Sequence, residues 1–91
     1  MADSLEYTLM KLTEAQKIDL VSYDAGMLTH IRCASDEVKL AAIRADCSAI
    51  YYIQEPTEEM QWLAVGIDVA AISCIKEPTA EVKEYARLRT N

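Results

Sequence analysis

Ala49-Ile50-Tyr51-Tyr52-Ile53-Gln54-Glu55-Pro56-Thr57-Glu58-Glu59-Met60 and Ala71-Ile72-Ser73-Cys74-Ile75-Lys76-Glu77-Pro78-Thr79-Ala80-Glu81-Val82 are two versions of one pattern, 22 residues apart. Both prolines of the chain occupy the same place in it. One interval earlier, Met27-Leu28-Thr29-His30-Ile31 leads through Cys33-Ala34-Ser35-Asp36-Glu37-Val38 to Ala41-Ala42, with Ala34 standing where the later copies have Pro. A more degenerate copy precedes it: Leu9, Thr13, Lys17, Leu20 and Asp24 fall under Ile31, Ser35, Lys39, Ala42 and Asp46. A fixed self-similarity constrains fold class more tightly than local propensity does. Four copies, at approximately 3–24, 25–46, 47–68 and 69–90, account for nearly the whole chain, which reads as one helical-repeat domain over 1–91.

Within a copy the signals place two helices. Asp24, Asp46 and Asp68 each precede a short apolar segment, where an aspartate oxygen can accept orphan N–H groups of a first turn. The inward positions of this first helix are Leu28/Ile31, Ile50/Ile53 and Ile72/Ile75, three apart, and Pro56 or Pro78 is expected to end it by forcing the preceding residue out of α conformation. Thr13, Ser35, Thr57 and Thr79 then cap a second, longer helix, and Gln16 completes a capping box with Thr13. Acidic side chains in its first turn (Glu14; Asp36 and Glu37; Glu58 and Glu59; Glu81) complement the positive end of the helix dipole. Segments of about six and ten residues do not persist as helices alone, so they must stack.

The longer helix has two apolar faces, as an element sandwiched between neighbours requires. One face carries Val38, Ala41, Ala42 and Ala45, and in the next copy Met60, Leu63, Ala64 and Ile67. The other carries Ile18/Val21, Leu40/Ile43 and Trp62/Val65. At the chain's two ends one face turns polar: Gln16 and Asp19 in the first copy, Glu84 and Arg87 in the last. If the second face of each copy packs on the first face of the next, these substitutions fall on the outward ends of a finite stack. The expected fold is therefore all-α: four helix-pair repeats in a small solenoid-like bundle, with Trp62 covered between copies three and four.

Composition agrees. With 91 residues, 52% apolar and only 7% aromatic, the core has to come from Ala, Ile, Leu, Val and Met, and two Gly with two Pro are too few to punctuate a multi-stranded sheet. Fifteen acidic against nine basic side chains give a net charge of −6, which disfavours direct nucleic-acid or anionic-membrane binding. The sequence shows neither a signal-peptide pattern nor an apolar run near the roughly 18 residues of a membrane span, so the expected setting is the cytoplasm. Cys33, Cys47 and Cys74 lack both a CxxC spacing and a second His, so neither a disulfide framework nor a metal site is expected, and no cofactor motif is present.

The pattern A-I-x-x-I-x-x-P-T-x-E-[VM] at Ala49–Met60 and Ala71–Val82 resembles a short α-helical repeat of bacterial and bacteriophage proteins of unknown function. The shared residues are capping and core positions, so the resemblance implies architecture and a phage origin and brings no catalytic residue. A phage origin in turn makes a small acidic protein a candidate inhibitor of a host defence factor such as a CRISPR effector, acting in the host cytoplasm.

Chemistry is sparse. His30 and Cys33 stand three apart, as a Cys-His nucleophilic pair might, but no orienting Asn or Asp and no oxyanion donor loop accompany them, so His30 reads as a surface residue and the protein as no enzyme. Charge lies in columns: Glu37, Glu59 and Glu81 share one repeat position, and Lys17, Lys39 and Lys83 another. The copy over 57–78 is the most negative, with Glu58, Glu59, Asp68 and Glu77 against Lys76. The outward side of the shorter helix offers Tyr51, Tyr52 and Gln54, flanked by His30 and Arg32 before and Lys76 after. Tyrosines suit a binding surface because they bring large area with a polar tip at small entropy cost. The expected function is a protein-binding module, monomeric or a small oligomer, that occludes its partner through Tyr51, Tyr52, Gln54, Glu58, Glu59, His30, Arg32 and Lys76. The alternative is a structural protein that self-associates or joins a larger complex.

Overall fold

Each described α-helix opens on a hydroxyl, and all but the last close on an aspartate. The computed structural model describes residues 11–31 and 34–89; Leu9, Arg32 and Cys33, used above, lie outside them. Among the described residues four α-helices, α1 (Glu14–Tyr23), α2 (Asp36–Ala45), α3 (Glu58–Ile67) and α4 (Ala80–Arg89), alternate with three 3-10 helices, η1 (Ala25–His30), η2 (Cys47–Tyr52) and η3 (Val69–Cys74). Among the described residues there is no strand, and the all-α expectation holds. Successive elements of each kind start 22 residues apart. The principal extents are 49 × 21 × 16 Å, with each α-helix packed on the next and on its adjoining 3-10 segments.

The caps fall where the sequence places them. Ser35 and Thr57 accept from the backbone N–H of Val38 and Met60, Thr79 Oγ1 accepts from Val82, and Thr13 with Gln16 closes a reciprocal capping box. Asp24, Asp46 and Asp68 do more than cap. Their extended backbones (φ −144°, −156° and −151°) still donate N–H to Leu20, Ala42 and Ala64, ending the α-helix, while their Oδ1 atoms accept from Gly26, Ser48 and Ala70 at the start of the next segment. One residue thus serves as hinge between two helices without a loop, each cap being worth about 1 kcal/mol.

The shorter helix differs from expectation in type and in what ends it. Its bonds run from i to i−3, as in Ala49 N–H to Asp46 O (2.8 Å) and Ile53 N–H to Ile50 O (3.0 Å). A 3-10 helix has about three residues per turn, so side chains three apart eclipse. That aligns Ala25, Leu28 and Ile31 into one buried row, and half-buried Cys47 with buried Ile50 and Ile53 into the next. The prolines do not terminate these segments: η1, followed by Ala34, stops at the same repeat position as η2 and η3, with Ile31, Ile53 and Ile75 all extended (ψ 116–120°). Termination is set by turning that isoleucine into the core, and Pro56 and Pro78 stiffen the turn beyond it.

One continuous core runs the length of the stack, with Val21, Val38, Ile43, Ile50, Met60, Val65 and Val82 essentially sealed. Gln16, Asp19, Glu84 and Arg87 are exposed. Trp62, from the second face of copy three, meets Tyr85, from the first face of copy four, edge to face at 5.3 Å. Trp62 remains 37% exposed, so the contact covers it only in part.

Candidate functional site

The 3-10 helices bring together the outward tyrosines. In η2, Tyr51 and Tyr52 are 58% and 52% exposed and touch edge to face, ring centroids 5.7 Å apart at 84°. They point out because the three-residue period commits Ile50 and Ile53 to the core and leaves the two positions between them to solvent. Lys76, one copy on, reaches back so that its Nζ lies 5.9 Å from the Tyr51 ring centroid, a cation–π distance. Tyr51, Tyr52 and Lys76 therefore form one patch spanning two copies. Gln54 is exposed just past η2, and His30 is exposed at the end of η1.

The two acidic candidates separate. Glu59 is exposed in the first turn of α3. Glu58 is engaged across the seam: its Oε2 lies 3.4 Å from Trp62 Nε1 and 3.4 Å from Thr79 Oγ1, both of which donate. The same contact recurs at the other end of the stack, where Ser35 Oγ donates to Glu14. The signal was in the sequence, since a carboxylate at the first helical position of one copy faces the cap hydroxyl of the next, but it needed the stacking geometry to be read.

Sequence reasoning also missed two grooves. The first has Leu28, Ile31 and Ile53 at its base and Lys39, Tyr52 and Glu55 around it, an open groove of about 330 Å³. The second, of about 340 Å³, lies one copy further, with Ile50, Ile53 and Ile75 at its base and Glu55, Lys76 and Glu77 around it. The segment Ile53-Gln54-Glu55 lines both and forms the wall between them. The sequence reading had placed Gln54 and Lys76 on an outer surface; they also border a groove.

Gln61 was overlooked as well. It takes the place in its copy that Lys17, Lys39 and Lys83 hold in theirs, and it is buried (4% exposed). Its Nε2 donates to Pro56 O at 3.3 Å and its Oε1 accepts from Thr79 N–H at 2.9 Å, which ties the Pro turn of copy three to the cap of helix α4.

Burial, then the carboxylates of Asp68 and Asp46, push the Cys47 thiol above its ordinary value, which makes it a poor nucleophile near neutrality. A hydrogen bond from Arg87 holds exposed Glu84 below the usual carboxylate range, and the same pair forms an ion pair at 2.5 Å on the outer surface of α4. Among the described residues no three His, Cys, Asp or Glu side chains are grouped to hold a metal ion, and no helix is long and apolar enough to cross a membrane. Comparison with protein-family models, with curated proteins and with solved structures returns no match.

Proposed function

We propose that this protein is a non-enzymatic binding module that covers a surface of a protein partner, using the patch of Tyr51, Tyr52 and Lys76 together with Gln54 and Glu59. The observation that carries the reading is the exposed tyrosine pair with a lysine drawn onto it from the next copy. Such a patch, pre-positioned by a 3-10 helix whose neighbours are locked in the core, loses little side-chain freedom on binding. The repeat resemblance supplies the setting, a phage-encoded antagonist of a host defence factor such as a CRISPR effector, at work in the host cytoplasm. His30, exposed at the end of η1, precedes the patch in sequence, as does Arg32, which lies outside the described residues. Glu58 is better assigned to the seam it bonds.

Capture from host lysate with the purified full chain tests this. The expected result is stoichiometric retention of one protein, lost in Tyr51→Ala/Tyr52→Ala and weakened in Glu59→Lys, with a small fixed mass on sedimentation as concentration rises. Capture unaffected by the tyrosine double variant overturns the assignment of the surface. Self-association that grows with concentration points instead to the assembly protein.

A further inference from the structure

The groove floored by Ile50, Ile53 and Ile75 has lost a cation that the repeat carries elsewhere. At one repeat position copies one, two and four hold Lys17, Lys39 and Lys83, and Lys39 is half-buried where it lines the groove one copy earlier. Copy three has Gln61 there, which lines the later groove with its amide tied to Pro56 O and Thr79 N–H. A carboxylate has been added as well. The residue before each proline is Glu55 or Glu77, the same place in the earlier copies is held by Lys11 and Cys33, and both glutamates line this one groove. Resting on the reading of the chain as a protein-binding module, we propose that this groove receives one basic side chain, Lys or Arg, of the protein partner.

The lining matches that occupant in two parts. Its floor is apolar, since Ile50, Ile53 and Ile75 are buried, and takes the aliphatic stem of a long basic side chain. Its charged part takes the head: among the described residues neither Glu55 nor Glu77 has an ion-pair or side-chain hydrogen-bond partner, so both are open to a charge-assisted bond. A volume of about 340 Å³ is at the small end for ligand sites, room for one side chain rather than a cofactor. An acidic side chain would be repelled here, and a purely apolar one would cover the carboxylates without pairing them.

Lys76 is the one cation in the lining, and its ammonium lies 5.9 Å from the Tyr51 ring centroid. Two carboxylates therefore face a single ammonium that is already drawn onto a ring, and the lining stays net negative. Lys76 also joins the groove to the tyrosine patch, so a partner that covers Tyr51 and Tyr52 can extend a basic side chain into it.

NMR titration of the isotope-labelled full-length protein tests the groove, with the peptides acetyl-Gly-Arg-Gly-amide and acetyl-Gly-Lys-Gly-amide and, as an uncharged match for the first, its citrulline analogue. Both basic peptides should shift the amides of Glu55, Ile75 and Glu77 saturably, and more weakly as salt rises, whereas the citrulline peptide should not. Glu55→Gln with Glu77→Gln, both at exposed positions, should reduce affinity about tenfold and either change alone by less. Lys76→Gln should raise it, and Asp19→Asn, on the outer face of α1, should leave it unchanged. Equal binding of the citrulline peptide, unchanged affinity in the double glutamate variant, or an equal loss with Asp19→Asn overturns the proposal. No shift with either basic peptide also overturns it, yet leaves the binding-module reading intact if lysate capture still depends on Tyr51 and Tyr52.

Discussion

The seam between α1 and α2 and the seam between α3 and α4 share one register but differ in construction. The first is aliphatic, with Ile18, Val21, Ala41 and Ala42 at or near the core, and one side-chain hydrogen bond, Ser35 to Glu14, at its edge. The second is wired with polar and aromatic groups: Gln61 to Thr79 N–H, Glu58 between Trp62 and Thr79, and Trp62 against Tyr85, which Arg89 covers at 4.8 Å. The backbones of α1 and α2 approach more closely than those of α3 and α4, because alanines admit a close neighbour where Trp62 and Tyr85 prop the helices apart. A repeat fixes where the next copy sits. It does not fix what holds it there, so one stack can mix a dry seam with a hydrogen-bonded one.

The column Val21, Ile43, Val65 and Arg87 gives the sharpest contrast, since the first three are sealed and the last faces out. Ile43→Ala should cost about 2–5 kcal/mol in urea denaturation, whereas Arg87→Ala should change stability by less than about 0.5 kcal/mol. Comparable losses at both would mean that the stack does not end at α4. Next in size, Gln61→Ala leaves the Thr79 N–H and the Pro56 carbonyl short of partners and should cost about 1–3 kcal/mol, while Lys39→Ala at the same repeat position should cost little. Thermal melts of the two variants would show whether the hydrogen-bonded seam depends on this residue.

Glycines offer a smaller effect of opposite sign. A Cβ at Gly66, inside α3, meets nothing within 4 Å, so Gly66→Ala should stabilise by about 0.5–1 kcal/mol; at Gly26 it would come within 3.2 Å of the capping oxygen of Asp24, and no such gain is expected. Last, Cys47 is neutral in the fold with its pKa raised above the ordinary 9.0 by burial and two nearby carboxylates. Its contribution to stability is full below the unfolded value and declines as pH rises through the higher folded one. Alkylation of Cys47, followed by mass spectrometry, should be slower in the folded protein than in denaturant at the same pH. Labelling of the folded protein as fast as of the unfolded chain would contradict the half-buried, acid-flanked environment.

The candidate surface was legible in outline. Tyr51 and Tyr52 announce themselves by sitting between two core isoleucines, and the structure leaves both exposed. Lys76 was placed near them by register alone, and the reach of its ammonium to Tyr51 required coordinates. Glu58 and Glu59, adjacent and chemically identical, could not be told apart in sequence; only the neighbouring copy decides that one is bonded and the other is not.

The sequence by itself determined the period, the caps and most of the core, because hydrogen bonding to a helix end and burial of apolar side chains are properties of local order and spacing; Ala45 and Ile67, which continue the first apolar face in sequence, are exposed at the ends of their helices. The 3-10 geometry was not legible, since isoleucines three apart suit an α-helix as well. Tertiary structure alone decided the grooves, the burial of Gln61 and the ties across each seam, because these arise where two copies meet, and a linear pattern carries the register of that meeting but not the distance across it.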